Sequence, residues 1–270
     1  MTAFDGLILD LDGVVWVGPD PVPGSVNAIE GLRESGVQIV FLTNDSRSSR
    51  AEYAARLTEL GIPAESSQIV TSGSALARYV RAREGPGARA FAIGSPMFKA
   101  ELAGSGLPLS EGLAAEVVAV GVHDDFNYDE LRTAAQTLRR GATLYAAGRD
   151  ATFPMPDGPW PGAGSVVAAV EVAGGTRAIT VGKPEPYVFD VARSVLRNCD
   201  RVAIVGDSLE SDIVGGTRAG LETVLVLTGT CTADDVAAST VQPDIVLPDL
   251  AALLHESPPK LVPTKRGSCA

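Results

Sequence analysis

Two carboxylates interrupt the apolar run "LILDLDGVVW", Leu7 to Trp16: Asp10 and Asp12. An unpaired charge is costly to take out of water, and residues two apart in a strand face the same side. At a separation of about 4 Å and an effective dielectric near 20, two like charges repel by roughly 4 kcal/mol. Something positive must therefore sit between them, and Gly13 permits a tight exit from the strand at that point.

Three further stretches put polar groups straight after apolar runs. In "FLTND" Thr43 and Asn44 supply a hydroxyl and an amide; in "TVGKPEP" Lys183 follows a short strand; in "AIVGDSLESDIVGG" Asp207 ends one strand and Asp212 opens the following helix. Carboxylates, one lysine and a hydroxyl-amide pair make a hard-cation site beside an anion site. Oxygen donors without nitrogen or sulfur favour Mg²⁺ over zinc. Taken singly, each residue has an ordinary structural explanation as a turn former, helix cap or solvated lysine. Jointly they do not, because all four places fall on the same edge of one expected sheet.

The elements that must position them alternate. "PGSVNAIEGLRESG" has helical periodicity with Ser25 at its start and Gly36 past its end; "VQIVFL" is a buried strand; "SSRAEYAARLTELG" is a second helix; "QIVTSGSALARYVRA" is a short strand feeding a third. A Gly/Pro-rich joint, "RAREGPGARA", is the expected hinge. Beyond it "RAFAIG", "AEVVAVGV" and "ATLYAA" read as strands, and "NYDELRTAAQTLRRG" as a helix whose Asn127 and Glu130 fit a capping box. The alternation resumes with "RAITVG", "PYVFDVARSVL", "RVAIVG", "SDIVGGTRAG" and "ETVLVL". This order predicts an α/β fold, a Rossmann-like doubly wound parallel sheet with an inserted α/β unit. In such sheets ligands bind beyond the carboxyl ends of the strands. The expected division is a discontinuous core over 1–83 and 179–256, an insert over 84–178 and a disordered polar tail over 257–270.

Bulk properties narrow the function. The chain has 270 residues and a formal net charge of −11, with no basic cluster to offset it, which argues against a nucleic-acid or anionic-membrane partner. Three cysteines without C-x-x-C spacing indicate neither a disulfide framework nor a zinc site, and a reducing, cytoplasmic setting is expected. The apolar start lacks a basic n-region and is broken by Asp10 and Asp12, so it is read as neither signal peptide nor membrane span. His123-Asp124-Asp125 is read as a turn. "GAGS" at 162–165 lacks the pattern of a nucleotide cradle. Phe153, Met155 and Trp160 either line a substrate pocket or pack the insert on the core.

The set "DLDGVVW", "LTND", "GKPEP" and "GDSLESDI", in that order, resembles the four signature motifs of the haloacid dehalogenase superfamily. The long insert, with "GVHDDFNYDEL" and "FPMPDGPWPGAGS", is similar to the cap of its NagD-like, 4-nitrophenylphosphatase branch. The resemblance implies a Mg²⁺-dependent phosphatase of small phosphate monoesters. Asp10 would be the nucleophile that forms an aspartyl-phosphate, and Asp12 the acid and then base, with its backbone carbonyl on the metal. Thr43, Asn44 and Lys183 would hold the phosphoryl group. Asp10, Asp12 and Asp207 would be the metal ligands, with Asp212 behind them or orienting Lys183. The resemblance also allows a homodimer formed through the cap.

The chain departs from the branch pattern in two places. Asp45 stands where the branch usually shows Asn, and Gly148-Arg149-Asp150 replaces the usual N-x-D of the specificity loop. Arg149 and Asp150 are thus the candidate specificity residues, Arg149 as a reader of a substrate anion. Two other functions share these motifs. One is dehalogenation through the same aspartate, which needs neither an acid nor a metal; the other is a phospho-accepting regulatory module, which lacks a large insert.

Overall fold

A computed structural model of the chain describes residues 4–153, 158 and 160–254. Its elements are numbered in chain order. The first part runs β1 (Gly6–Asp10), a ribbon of β2 (Trp16–Val17) and β3 (Asp20–Pro21), α1 (Ser25–Glu34), β4 (Gln38–Thr43), α2 (Arg50–Glu59), β5 (Ile69–Thr71) and α3 (Ser72–Glu84). The middle holds β6 (Ala90–Ile93), α4 (Pro96–Gly104), β7 (Val117–Val120), α5 (Tyr128–Arg139), β8 (Thr143–Ala146), a ribbon of β9 (Thr152–Phe153) and β10 (Trp160–Pro161), α6 (Ala163–Gly174) and β11 (Ile179–Thr180). The last part is α7 (Pro186–Arg193), β12 (Val202–Gly206), a π-helical turn over Leu209–Ile213, α8 (Val214–Arg218), β13 (Glu222–Val226), α9 (Ala233–Ala238) and β14 (Ile245–Leu247).

Six strands form one parallel sheet in the order β14-β13-β12-β1-β4-β5. β1 is buried at every position, as a strand covered on both faces must be. Its alternate residues serve different layers: Leu7 and Leu9 join the cluster beneath α1 and α2, while Ile8 joins the one that includes Val188 and Phe189 of α7. β4 and β5 lie on one side of β1, and the strands that follow the insert lie on the other. The order therefore reverses at β1, and the cleft beyond the carboxyl ends of β4, β1 and β12 is where such a sheet takes ligands.

The middle segment builds its own parallel sheet, β11-β8-β7-β6. One face is covered by α5 and α6, through Ala134, Leu138, Val166, Val167 and Val170. Ala90, Ala92, Val117, Ala119 and Tyr145 belong instead to the cluster that contains Ile8, Val40 and Leu42 of the first sheet. The two sheets thus share one apolar core.

The expected core restart at 179 is displaced. Ile179 pairs with Tyr145 and Thr180 with Ala146, so "RAITVG" closes the insert's sheet before the chain turns toward Lys183. Strand-like sequence could not tell which of two parallel sheets it would join. "GAGS" opens α6, because its glycines allow close approach of another backbone: a Cβ on Gly162 would lie 2.3 Å from the Asp150 carbonyl oxygen, and one on Gly164 2.4 Å from that of Arg149. α1 is capped by Gly24 at φ 83°, not by Ser25, whose hydroxyl donates to the Val15 carbonyl at 2.9 Å. Asp124 and Asp125 form the turn, and His123 just before it places Nε2 3.1 Å from Glu130 Oε1 at the head of α5. Met155 and the tail from 255 on lie outside the described residues.

Candidate active site

β1 ends at Asp10, and the chain then closes on itself. The N–H groups of Val15 and Trp16 donate to the Leu11 carbonyl at 2.8 and 3.2 Å, and Gly13, at φ 78°, donates to the Trp16 carbonyl at 2.7 Å. The strand thus stops at the first carboxylate. Asp10 is buried, whereas Asp12 stands exposed in the loop, with its Oδ1 accepting from Trp16 Nε1 at 3.0 Å.

The positive group expected between Asp10 and Asp12 lies instead between Asp10 and Asp212, and it is Lys183. This residue is 4% exposed, and its ammonium lies 2.8 Å from Asp10 Oδ1 and 2.7 Å from Asp212 Oδ1. The lysine's partner besides Asp10 is therefore Asp212, while Asp12 bonds to Trp16. Burial alone would lower the lysine's pKa; Asp10 and Asp212 outweigh that and raise it. Asn44 holds this residue by its backbone. The Lys183 N–H donates to Asn44 Oδ1 at 2.8 Å, and Asn44 Nδ2 donates to the Lys183 carbonyl at 3.0 Å and to Asp150 Oδ2 at 3.3 Å. The Lys183–Pro184 peptide is cis. Thr43, at the end of β4 and 1% exposed, accepts the Asp45 N–H on Oγ1 at 3.0 Å. Its own O–H remains a donor to offer.

β12 delivers Asp207, and two glycines make room for it. A Cβ on Gly229 would lie 2.0 Å from Asp207 Oδ2, and one on Gly13 2.5 Å from the same oxygen. That oxygen accepts the Thr230 N–H at 2.6 Å. Asp212, fully buried, accepts from the Ser208 N–H at 3.2 Å on the oxygen that does not face Lys183. A Cβ on Gly206 would lie 2.2 Å from its carboxyl carbon. Gly229, Thr230 and Ser208 escaped the sequence reading, although "TGT" after the apolar "ETVLVL" obeys the same rule of polar residues following a strand.

Asp10, Asp207 and Asp212 each bring a carboxylate oxygen within 4.8 Å of the others. Lys183 answers only part of the charge of three buried carboxylates. Burial first, then Lys183's opposing pull and repulsion from Asp212 and Asp207, leave the Asp10 pKa well above the carboxylate range; burial and Asp212 also raise Asp207. A donor set of carboxylate oxygens that is short of positive charge fits a hard divalent cation. The Asp12 side chain stands outside this trio.

The insert's two candidates point to different partners. Asp150 is exposed and reaches Asn44. Arg149 instead pairs with the buried Glu171 of α6 and donates from Nε to Thr180 Oγ1 at 3.0 Å. Glu171 also takes Arg177 at 3.0 Å and the Ala178 N–H at 2.8 Å. Asp45, the other departure, is paired with Arg47 at 2.8 Å.

A buried Asp-Lys-Asp cluster at the switch point of a parallel sheet, with an inserted α/β unit packed beside it, fits a hydrolase of the phosphoryl-transferring α/β class. Family models agree: residues 7–108 match a haloacid dehalogenase-like hydrolase model and 180–253 a second model of that group. An acid sugar phosphatase of Staphylococcus saprophyticus is 31% identical over 258 residues, covering 95% of this chain and 99% of that protein. Human chronophin is 38% identical over 250 residues, covering 86% and 84%. Among solved structures, a glycerol phosphate phosphatase of Mycobacterium tuberculosis in complex with magnesium matches at 34% identity and TM-score 0.85, over 94% of this chain and 77% of that one. The chain belongs to the haloacid dehalogenase-like hydrolases, in the branch of the 4-nitrophenylphosphatases, and is a phosphoric monoester hydrolase. No helix among the described residues is long and apolar enough to cross a membrane.

Proposed function

We propose that the chain is a magnesium-dependent phosphatase that hydrolyses a small phosphate monoester through an aspartyl-phosphate on Asp10. The observation that carries this reading is the Lys183 ammonium 2.8 Å from Asp10 Oδ1, in a buried trio of carboxylates at the end of β1. An Asp10 oxygen attacks phosphorus as the ester bond breaks, and Asp12 gives its proton to the departing alkoxide. Asp12, now ionised, takes a proton from water as that water attacks phosphorus. Phosphate leaves, Asp10 is restored and Asp12 is protonated again. Partial desolvation in the loop, with Asp45 beside it, raises the Asp12 pKa, which favours an acid that holds its proton until needed.

Lys183 neutralises both nucleophile and phosphoryl group. The Thr43 hydroxyl donates to a phosphoryl oxygen, and Asn44, whose amide is engaged with the Lys183 backbone, positions the lysine. Asp10, Asp207 and the backbone carbonyl of Asp12 would hold magnesium, with Asp212 orienting Lys183. The metal, when bound, supplies positive charge against the phosphoryl oxygens. Asp150, reaching the Asn44 amide, would face the substrate, and Arg149 would fix the loop that carries it. The insert acts as a cap that limits substrates to small molecules, and relatives named for sugar and glycerol phosphates support that class.

The test is phosphate release from a panel of sugar, polyol and nitrophenyl phosphates, with Asp10→Asn as blank, and with EDTA followed by added Mg²⁺. Repeated turnover is expected, abolished by EDTA, restored by Mg²⁺ and absent in Asp10→Asn. Acid-quenched enzyme should carry one phosphoryl group. Turnover that survives both EDTA and Asp10→Asn would overturn the reading.

A further inference from the structure

Asp12 sits exposed in a loop just past the strand end, where an aspartate would ordinarily sample several staggered rotamers. Its proton must nevertheless reach one atom, the leaving oxygen. The structure holds this side chain through Trp16. Trp16 is fully buried, and its indole Nε1 donates to Asp12 Oδ1 at 3.0 Å.

The indole has little freedom to point elsewhere. Its ring lies parallel to that of Tyr53, at 9° and 6.3 Å between centroids, and the Arg56 guanidinium sits 3.9 Å from its centroid. Both partners come from α2. The Trp16 backbone N–H donates to the Leu11 carbonyl, and Arg56 also donates to the Gly18 carbonyl, tying the β2–β3 ribbon to the same helix. A clamped ring thus presents its one donor to one oxygen of an otherwise loose carboxylate. Oδ2 is left to carry and deliver the proton.

We infer that Trp16 is a positioning residue for proton transfer: its indole N–H fixes Oδ1 of Asp12 so that Oδ2 faces the leaving oxygen. This rests on the reading of Asp12 as the acid. A leaving group that needs a proton should feel the loss of the anchor, and one that departs readily as an anion should feel it far less.

The experiment compares glycerol phosphate with 4-nitrophenyl phosphate in wild type, Trp16→Phe and Asp12→Asn. Phenylalanine keeps a ring between Tyr53 and Arg56 and removes the N–H. The expected result for Trp16→Phe is a kcat/KM, which reads only the steps up to departure of the leaving group, that falls about tenfold more on glycerol phosphate than on 4-nitrophenyl phosphate. Asp12→Asn should show a larger bias of the same sign, within the roughly 10²–10⁴-fold range of general acid catalysis. If Trp16→Phe folds poorly, benzothienylalanine incorporated for tryptophan in a Trp160→Phe background removes the N–H at nearly constant shape. Equal loss on both substrates, or none on glycerol phosphate, while Asp12→Asn is biased, would overturn the role of Trp16 alone. An unbiased Asp12→Asn would overturn the acid assignment, and the inference with it.

Discussion

The two halves of the cleft are built by opposite means. On the core side, Asp10, Asp207 and Asp212 are each at most 6% exposed and held by strand ends, backbone N–H groups and glycines that admit no side chain. On the insert side, Asp150 is exposed and touches Asn44 from a loop, and that loop is fixed by the Arg149–Glu171 pair behind it. Register in a parallel sheet sets strand ends relative to each other within fractions of an ångström, which is what nucleophile and counter-charge require. A loop pinned by an ion pair is easier to change without disturbing that register. The proposed function accordingly assigns chemistry to the rigid side and selectivity to the adjustable side.

The comparison predicts where damage is greatest. If Asp10 is the nucleophile, as proposed, Asp10→Asn should cost at least about 10³-fold in turnover, because an amide cannot replace the attacking carboxylate. Phosphate release on nitrophenyl phosphate measures it, and residual activity within tenfold of wild type would break the assignment of chemistry to β1.

Next in size is Gly229→Ala. Its Cβ would fall 2.0 Å from Asp207 Oδ2, so either the carboxylate or the loop must move. If Asp207 holds magnesium, as proposed, the Mg²⁺ concentration for half-maximal activity should rise about 10- to 100-fold, the usual cost of disturbing what supports a metal ligand. A magnesium titration reads this directly, and an unchanged midpoint would show that the Gly229 backbone does not seat the ligand. Asn44→Ala should come below it, at roughly 10-fold or more in kcat. The Lys183 backbone would lose the bonds at 2.8 and 3.0 Å, while the ammonium keeps Asp10 and Asp212. A loss confined to KM would instead favour Asn44 as a direct phosphate ligand.

The same difference explains what could be read from sequence. The parallel core and Asp10, Lys183 and Asp207 were legible because buried strands are continuous apolar runs and a polar residue at their end stands out. Asp212 was legible too, and its part in holding Lys183 appears at 2.7 Å. The rest depends on which backbone approaches which. Nothing in "RAITVG" says that Ile179 and Thr180 pair with Tyr145 and Ala146 rather than with the core. Nor does anything in "GRD" say that Arg149 would turn to a glutamate 22 positions away. Trp16 read as an apolar residue closing a motif, and its use as a donor needed α2 to be brought over it.

The smallest catalytic effect should come from Glu171→Gln, which tests the insert side alone. Burial by itself would raise the Glu171 pKa, but the Ala178 N–H and Arg149 outweigh this and hold it below the ordinary 4.5. A carboxylate with a lowered folded pKa contributes stability that is present above its unfolded value and lost as pH falls through the folded one. Wild type and Glu171→Gln should therefore differ most near neutral pH, by about 1–2 kcal/mol or several degrees in Tm, and converge as pH falls below 4.5 and through the lowered folded value. Nitrophenyl phosphate turnover should change less than about threefold, because the core residues keep their partners, whereas the ratio of kcat/KM values between two sugar phosphates should shift as the loop carrying Asp150 loosens. Thermal melts across pH and paired substrate kinetics check the two halves separately. A variant that lost nitrophenyl turnover as severely as Gly229→Ala would mean that the insert's ion pair supports the chemistry itself, and the division between the two sides of the cleft would fail.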